Sequence, residues 1–291
     1  MEKYLLPEDD GLHPIRVFGT WTSVKLDYLR RYIHLFETSM KDKPWRQRNF
    51  IDLFAGTGKY REEENGDVHL GSTLLAVTAN HPFTNYYFAD SNKANISVLQ
   101  KRTESVANKT KYYTGNANRV VQDVVTEIQA IDNQRLTMKW SSLNLAFLDP
   151  DGLELEWSTV KSLASLYTMD LIIYYSQYGL NINFKNCYQA SGETEIDRFF
   201  GGDEWRRMYE KWQSKDAMAG IHRELTDYYK SNLHSLGYVD VLDQETGTEP
   251  LMKNSKQAPL YRLIFASKNK RGHDFWKKVT DRDLYGNKRL L

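Results

Sequence analysis

Five short stretches of this chain end in residue types that bind or react. NFIDLFAGTGKY places the acidic Asp52 at the end of an apolar run and follows it with Gly56, Thr57 and Gly58. Paired glycines let the backbone turn tightly and come close to a ligand. The run has no GxxxxGK[ST] and no third glycine at the dinucleotide spacing, so neither fingerprint applies. NYYFAD ends in Asp90, a carboxylate able to accept both hydroxyls of a ribose, and KYYTG leads into Asn116-Ala117, an amide that can face an adenine edge. LNLAFLD ends in Asp149-Pro150-Asp151-Gly152, a carboxylate followed by a stiff turn. MDLIIYYSQYGLN sets Tyr174, Tyr175, Ser176, Gln177 and Tyr178 where they can stack on or hydrogen-bond a planar substrate. The bland readings are an ordinary strand-to-helix turn for the glycines and chance clustering for the aromatics, since the chain holds 19 tyrosines.

These runs share one context. Each is a short β-rich segment, and helix-like stretches near 72–80, 92–106, 118–131 and 158–166 separate them. Apolar strands alternating with helices predict a doubly wound, mostly parallel α/β sheet covered on both faces, with ligands at the carboxyl edge of the strands. Ahead of it, Leu26, Leu29, Ile33, Phe36 and Met40 recur at helical spacing behind a possible cap, Thr22, giving a leader and amphipathic helix over 1–48. Residues 187–236 turn charged, aromatic and helical and predict an inserted cap. YVDVLD and PLYRLIFAS then form a late antiparallel β-hairpin before a last helix. The main domain thus comprises 49–186 and 237–291. YREEENGDVHLG interrupts the expected helix start; it is a lid, or a segment that offers Gly71 and Ser72 amides at a helix N-terminus to a ligand, or a surface loop without ligand contact.

Composition narrows the class. Of 291 residues, 41% are hydrophobic and 26% charged, the profile of a globular protein. No apolar run nears the roughly 20 residues of a membrane helix and no signal-peptide pattern opens the chain, so a cytoplasmic protein is expected. One cysteine, Cys187, excludes an internal disulfide, and seven histidines without HxH or HxxxH spacing argue against a metal. The net charge of +1 conceals an asymmetry: +2 over 1–48, −9 over 49–249 and +8 over 250–291. In that tail Lys268, Lys270, Arg271, Lys277 and Lys278 interleave with Phe265, Phe275 and Trp276. This is either a nucleic-acid face that uses Lys270 and Arg271, or a helix packing its aromatics with lysines outward.

Glycine loop, acidic second strand, polar third strand and Asp-Pro fourth strand resemble motifs I to IV of class I S-adenosylmethionine-dependent methyltransferases over about residues 49–180. More narrowly, DLFAGTGKY, GSTLLAV, AFLDPDGLELEW and YRLIFASKNKRGHDFW are similar to the three-Cys-motif partner (TcmP) family, bacterial and phage proteins of this Rossmann-like fold named after a radical-SAM-like companion. The resemblance implies S-adenosylmethionine as cofactor, with Asp52, Gly56 and Gly58 around the methionine moiety; Thr57 of the same loop joins them as a binding candidate, and Gly71 and Ser72 enter only through the insertion, which departs from the generic fold. It puts Asp90 on the ribose, Asn116 and Ala117 at the adenine and Asp149 near the transferred methyl. Tyr175, Gln177 and Tyr178 would meet substrate. Two departures stand out: Asp151-Gly152 replace the proline and aromatic of the amino-methyltransferase motif, and Cys187 is misplaced for a cytosine-C5 nucleophile. The expected activity is methyl transfer to an unidentified substrate, with nucleic acid a candidate. The rival is a non-catalytic subunit that binds the cofactor and serves a three-Cys-motif companion in nucleic-acid repair or modification.

Overall fold

The computed structural model describes residues 10–134, 140–215, 220–239, 249–254 and 256–281. The alternating segments form one seven-stranded sheet: β2 (Gln47–Asp52), β5 (Asn85–Asp90), β6 (Thr110–Thr114), β7 (Ser142–Leu148), β8 (Met169–Ser176), β9 (Leu251–Lys253) and β10 (Pro259–Ala266). Their spatial order is β6-β5-β2-β7-β8-β10-β9. The first five are parallel, and β10 runs antiparallel to both β8 and β9. The doubly wound sheet with a late antiparallel hairpin is thus present. The outer partner of β10 among the described residues is β9; of YVDVLD only Tyr238 and Val239 are described, Val239 bridging Ser267, and 240–243 lie outside the described residues.

The period of two within each strand loads both faces. Phe50, Phe88, Leu145, Phe147 and Leu263 join one core, while Ile51, Ala146, Leu148, Leu171 and Ile264 join the other. The first core is covered by α1 (Trp21–Met40), α2 (Ser72–Val77), α3 (Lys93–Arg102) and α10 (Lys270–Thr280). The second is covered by α4 (Ala117–Asp132), α5 (Trp157–Ala164), α6 (Gln177–Gln189), α7 (Glu195–Phe200), α8 (Trp205–Ser214) and α9 (Ile221–Ser235).

Two expectations change here. The helix of the leader is one wall of the main core, through Leu29, Tyr32, Ile33 and Phe36, and starts at Trp21, so Thr22 lies inside its first turn. The helices of 187–236 pack Phe199, Phe200 and Tyr229 against Tyr175 of β8 and Trp205 against Phe184 of α6, while Glu195 and Arg198 of α7 line a groove with Asp151 and Glu154. Their aromatic content is core: Trp157, Tyr175, Phe199 and Tyr229 meet edge-on and stacked at 5.2–5.6 Å.

A second small sheet has no counterpart in the sequence reading. β1 (Arg16–Phe18), β3 (Lys59–Glu62) and β4 (Val68–Leu70) pair in the order β1-β3-β4. The interrupting segment YREEENGDVHLG is therefore mostly a β-hairpin, closed at Asn65-Gly66, where Gly66 takes φ +79°.

Candidate active site

The carboxyl ends of β2, β5 and β7, the glycine loop, the amino end of α4 and β1 enclose a cleft of about 580 Å³. Its floor is the glycine loop. Gly56 (φ +59°) and Gly58 (φ +84°) occupy the left-handed region, and Gly58 also lies against Leu74 and Leu99, where a side chain has no room. Gly71 backs onto this turn, its amide donating to the Gly58 carbonyl at 2.7 Å.

Asp52 does not line the cleft; it sits beneath it, fully buried. It accepts the Phe54 amide (3.1 Å) and the Ser72 hydroxyl (2.5 Å), tying β2 to the start of α2. Burial pushes its carboxyl up to about 7 against the pull of those two hydrogen bonds, with the charges of Asp149 and Asp90 adding to the rise. Asp90 does face the cleft. One oxygen accepts the Gly56 amide (3.0 Å), and the other accepts the Asn92 amide (2.8 Å) and the Asn95 side chain (3.1 Å). Three donors thus fix a carboxylate that retains acceptor capacity toward the cleft.

Asn116 and Ala117 line the cleft where α4 begins. Asn116 is the N-cap, its side-chain oxygen taken by the Asn118 amide at 2.8 Å, which leaves its NH₂ as the part able to meet a ligand. Asn118 in turn donates to the Glu154 carbonyl and accepts from Thr159 and the Glu156 amide, so the loop after β7 is pinned to α4.

The largest surprise is at Asp149. Lys25, from α1, reaches it with Nζ 2.8 Å and 2.6 Å from the two carboxylate oxygens. The ammonium is buried and also lies 5.5 Å and 5.3 Å from the ring centres of Tyr174 and Tyr261. Burial raises the carboxyl of Asp149 above the usual range, and Lys25 counters that rise. Next to this pair, Arg16 of β1 meets Asp151 at 2.6 Å across the mouth of the cleft. Arg102 holds the leader against the glycine loop, donating to the Thr57 carbonyl (2.8 Å), the Leu12 carbonyl (2.7 Å) and Asp10. Its guanidinium holds the Asp10 carboxyl well below the ordinary range.

Gly56, Thr57, Gly58, Gly71, Ser72, Asp90, Asn116, Ala117 and Asp149 are therefore brought together. The substrate side divides. Tyr178 is exposed in a groove that shares Asn116, Asn118, Asp151 and Glu154 with the cleft. Tyr175 and Gln177 are buried and line neither, a correction with a simple cause: successive strand side chains alternate, and Tyr175 falls on the face packed by Phe199 and Phe200. Lys270 and Arg271 are also displaced from the site. They begin α10 beside Ser267 and Asp170, and Asp170 is at the amino end of β8, about 20 Å of strand from its carboxyl end. Sequence reasoning missed Lys25, although a signal existed: with Tyr28, Leu29 and Tyr32 it falls on the buried stripe of α1, where an ammonium needs a partner.

No family model and no curated protein matches the chain. Among solved structures, it is similar to Trm1 from Pyrococcus horikoshii in complex with S-adenosyl-L-methionine, at 9% identity and TM-score 0.43, covering 93% of this chain and 61% of that one. A putative S-adenosylmethionine-dependent methyltransferase from Listeria monocytogenes gives 12% identity and TM-score 0.38, covering 83% and 99%. Magnesium protoporphyrin IX methyltransferase from Synechocystis with bound SAH gives 12% identity and TM-score 0.37, covering 84% and 85%.

Proposed function

We propose that the cleft binds S-adenosylmethionine and that the chain transfers its methyl group to an acceptor entering beside Asp149. The observation that carries this reading is Asp90: a carboxylate fixed by three donors at the end of the second strand in the sheet's ligand-binding order, directly across from the glycine turn. The residues present fit the group. Gly56 has open space where a Cβ would stand, so the turn leaves room for a ligand, and 580 Å³ is within the range of small-molecule sites. Asp90 would hold the ribose hydroxyls, the Asn116 NH₂ and the Ala117 amide the adenine edge, and the Gly56–Gly58 backbone the amino-acid end. Bound there, the cofactor supplies a methyl on a sulfonium, open to in-line displacement. The part of this chain is to align the acceptor and keep the carboxylate of Asp149 charged and oriented through Lys25.

Calorimetry with S-adenosylmethionine and S-adenosylhomocysteine tests the binding step. Asp90→Ala is expected to weaken both at least tenfold, the loss of charge-assisted hydrogen bonds. Unchanged affinity removes Asp90 from the site and the reading with it. One observation favours the rival, binding without transfer: Lys25 already engages both oxygens of Asp149. Asp149→Asn separates the two, since in a transferase it lowers turnover on mixed nucleic acid and protein substrates while cofactor affinity holds. The finer kinship with the three-Cys-motif partner family, and with it a radical-SAM-like companion, rests on the sequence motifs quoted above and is tested by repeating that assay with the companion added.

A further inference from the structure

The basic residues displaced from the cleft are not scattered. Because five strands are parallel and β10 is antiparallel, the loops before β6, β5, β2, β7 and β8 and the turn after β10 all emerge on the amino edge of the sheet. Read along the strand order, that edge presents Lys109, then His81, then Lys41, Lys43 and Arg46, then Trp140, then Tyr167, then Lys270 and Arg271. Six strands at roughly 4.8 Å spacing make this band about 24 Å long. At its β5–β2 end Lys41, Arg48, His81 and Lys109 line a hollow of about 340 Å³. In the middle Trp45 and Trp140 meet edge to face at 4.8 Å, and Tyr167 stands 57% exposed.

Opposing charge is sparse there. Among the described residues here the exposed acids are Asp42, Glu104 and, one turn into α10, Asp274, and Arg48 is paired with the buried Glu37 at 2.9 Å. Asp132 and Asp170 are turned inward, onto Ser142 and Gln47 and onto Tyr32. The cleft at the opposite edge is mixed in sign: Asp151 and Glu154 are exposed there, but Arg16 pairs with Asp151, and Lys25 and Lys59 also line it. The excess of exposed lysine and arginine along the amino edge is what draws a polyanion there.

We propose that the amino edge of the sheet is a binding surface for single-stranded nucleic acid. Lysines and arginines spaced along a 24 Å band match about seven phosphates at roughly 3.4 Å per nucleotide of a stacked strand. The aromatic rings in the middle of the band give bases a surface to stack on, which a protein polyanion cannot use. Lys268, the basic residue nearest the tail's turn, is committed elsewhere: its ammonium donates to the carbonyls of Ala164 and Leu166 and so fixes that turn against the end of α5. Lys270 and Arg271 follow it in the first turn of α10, exposed. This surface is separate from the cleft and its occupancy does not depend on the cofactor.

Fluorescence anisotropy with a labelled thirty-nucleotide oligo-dT, measured without cofactor from 50 to 300 mM salt, tests the proposal. Binding is expected with a log–log salt slope near −3, from about four neutralised phosphates at roughly −0.7 each. Lys43→Glu with Arg46→Glu, and separately Lys270→Glu with Arg271→Glu, should each weaken binding at least tenfold at 100 mM salt and flatten the slope by about 1.4. Lys93→Glu with Lys185→Glu makes the same change in net charge on exposed positions away from the edge and should cost less than threefold. Tyr167→Ala should weaken oligo-dT binding severalfold with the slope unchanged. Equal losses in all three double variants, absence of binding at 50 mM salt, or equal affinity for polyglutamate of the same charge would each overturn it. These positions are on the surface, so circular dichroism melting within a few degrees of the parent certifies each variant.

Discussion

Removing the ammonium of Lys25 while keeping its length, as in Lys25→Met, tests the most consequential contact of the cleft. The lysine side chain is 9% exposed and that of Asp149 19%, with Nζ–O distances of 2.8 Å and 2.6 Å. Breaking such a pair from one side strands a charge in a poorly hydrated place, which typically costs 3–5 kcal/mol. Asp149 has an escape: its carboxyl is already raised by burial, and without Lys25 it rises further and takes up a proton. A carboxyl whose folded pKa is above its unfolded one supports folding fully at acid pH and loses that support as pH climbs through the folded value. The deficit of Lys25→Met should therefore be about 1 kcal/mol near pH 4 and about 3 kcal/mol or more at pH 8. Urea unfolding at the two pH values measures it, and Lys25→Met with Asp149→Asn should recover most of the loss at pH 8. A deficit at pH 8 below about 1 kcal/mol, or one that does not change with pH, would show that the two groups do not act as a buried pair.

Three further outcomes follow from single positions. Asp52, fully buried, has its carboxyl raised from 3.8 to about 7, so its ionisation opposes folding increasingly as pH rises from 4 to 7. Asp52→Asn should gain on the parent across that interval by about 2–4 kcal/mol, from a shift of about three pH units at 1.36 kcal/mol each, and a flat difference between pH 4.5 and pH 8 would refute it. Gly201→Ala, at φ +76° and with its Cβ only 2.3 Å from the Trp157 ring, should lower stability by about 3 kcal/mol or more, whereas Gly56→Ala, at φ +59° in open space, should lose about 1–2 kcal/mol; thermal melts rank the two, and equal losses would discount the Trp157 contact. Arg102→Met releases the Leu12 and Thr57 carbonyls and leaves Asp10 held by Lys59, so limited proteolysis should cut within residues 10–20 faster than in the parent while cuts elsewhere hold their rate.

The sheet was legible because its strands are buried on both faces. Such strands are near-continuous apolar runs ending in polar residues, and that pattern survives in one dimension. The residues of the cleft were legible for the same reason: Asp90 ends a strand, and Gly56, Asn116 and Asp149 lie within four residues of a strand's end, so strand order alone gathers them at one edge. What failed depended on three-dimensional pairing. The β1-β3-β4 sheet is built from three- and four-residue strands drawn from both sides of β2, too short for periodicity to register. Tyr175 and Tyr178 looked alike in sequence, yet one strand alternation and one helix turn bury the first and expose the second. The insertion's aromatics suggested a cap, but their density serves a flank that must cover β8 and β10.

The charges show most clearly where sequence position and spatial position part. The tail's net +8 is compatible with phosphate contact through Lys270 and Arg271, but the sequence alone does not say at which edge of the sheet those residues stand. An antiparallel β10 decides the edge, because a chain that runs down the sheet delivers its C-terminal residues to the edge opposite the one where parallel strands deliver theirs. Lys25 has the complementary history. It belongs to a segment that reads as a leader, 124 residues before Asp149, yet α1 crosses the sheet face so that its first turns reach the carboxyl ends of β7 and β8. One helix thus completes the floor of the cleft, and one strand reversal carries Lys270 and Arg271 away from it. A substrate that uses both would have to span the height of the sheet, and the salt dependence of turnover on long and short oligonucleotides distinguishes that arrangement from two independent sites. If one strand bridges both, shortening it below about seven nucleotides should raise KM with kcat unchanged; if the sites are independent, length should leave both constants where they are.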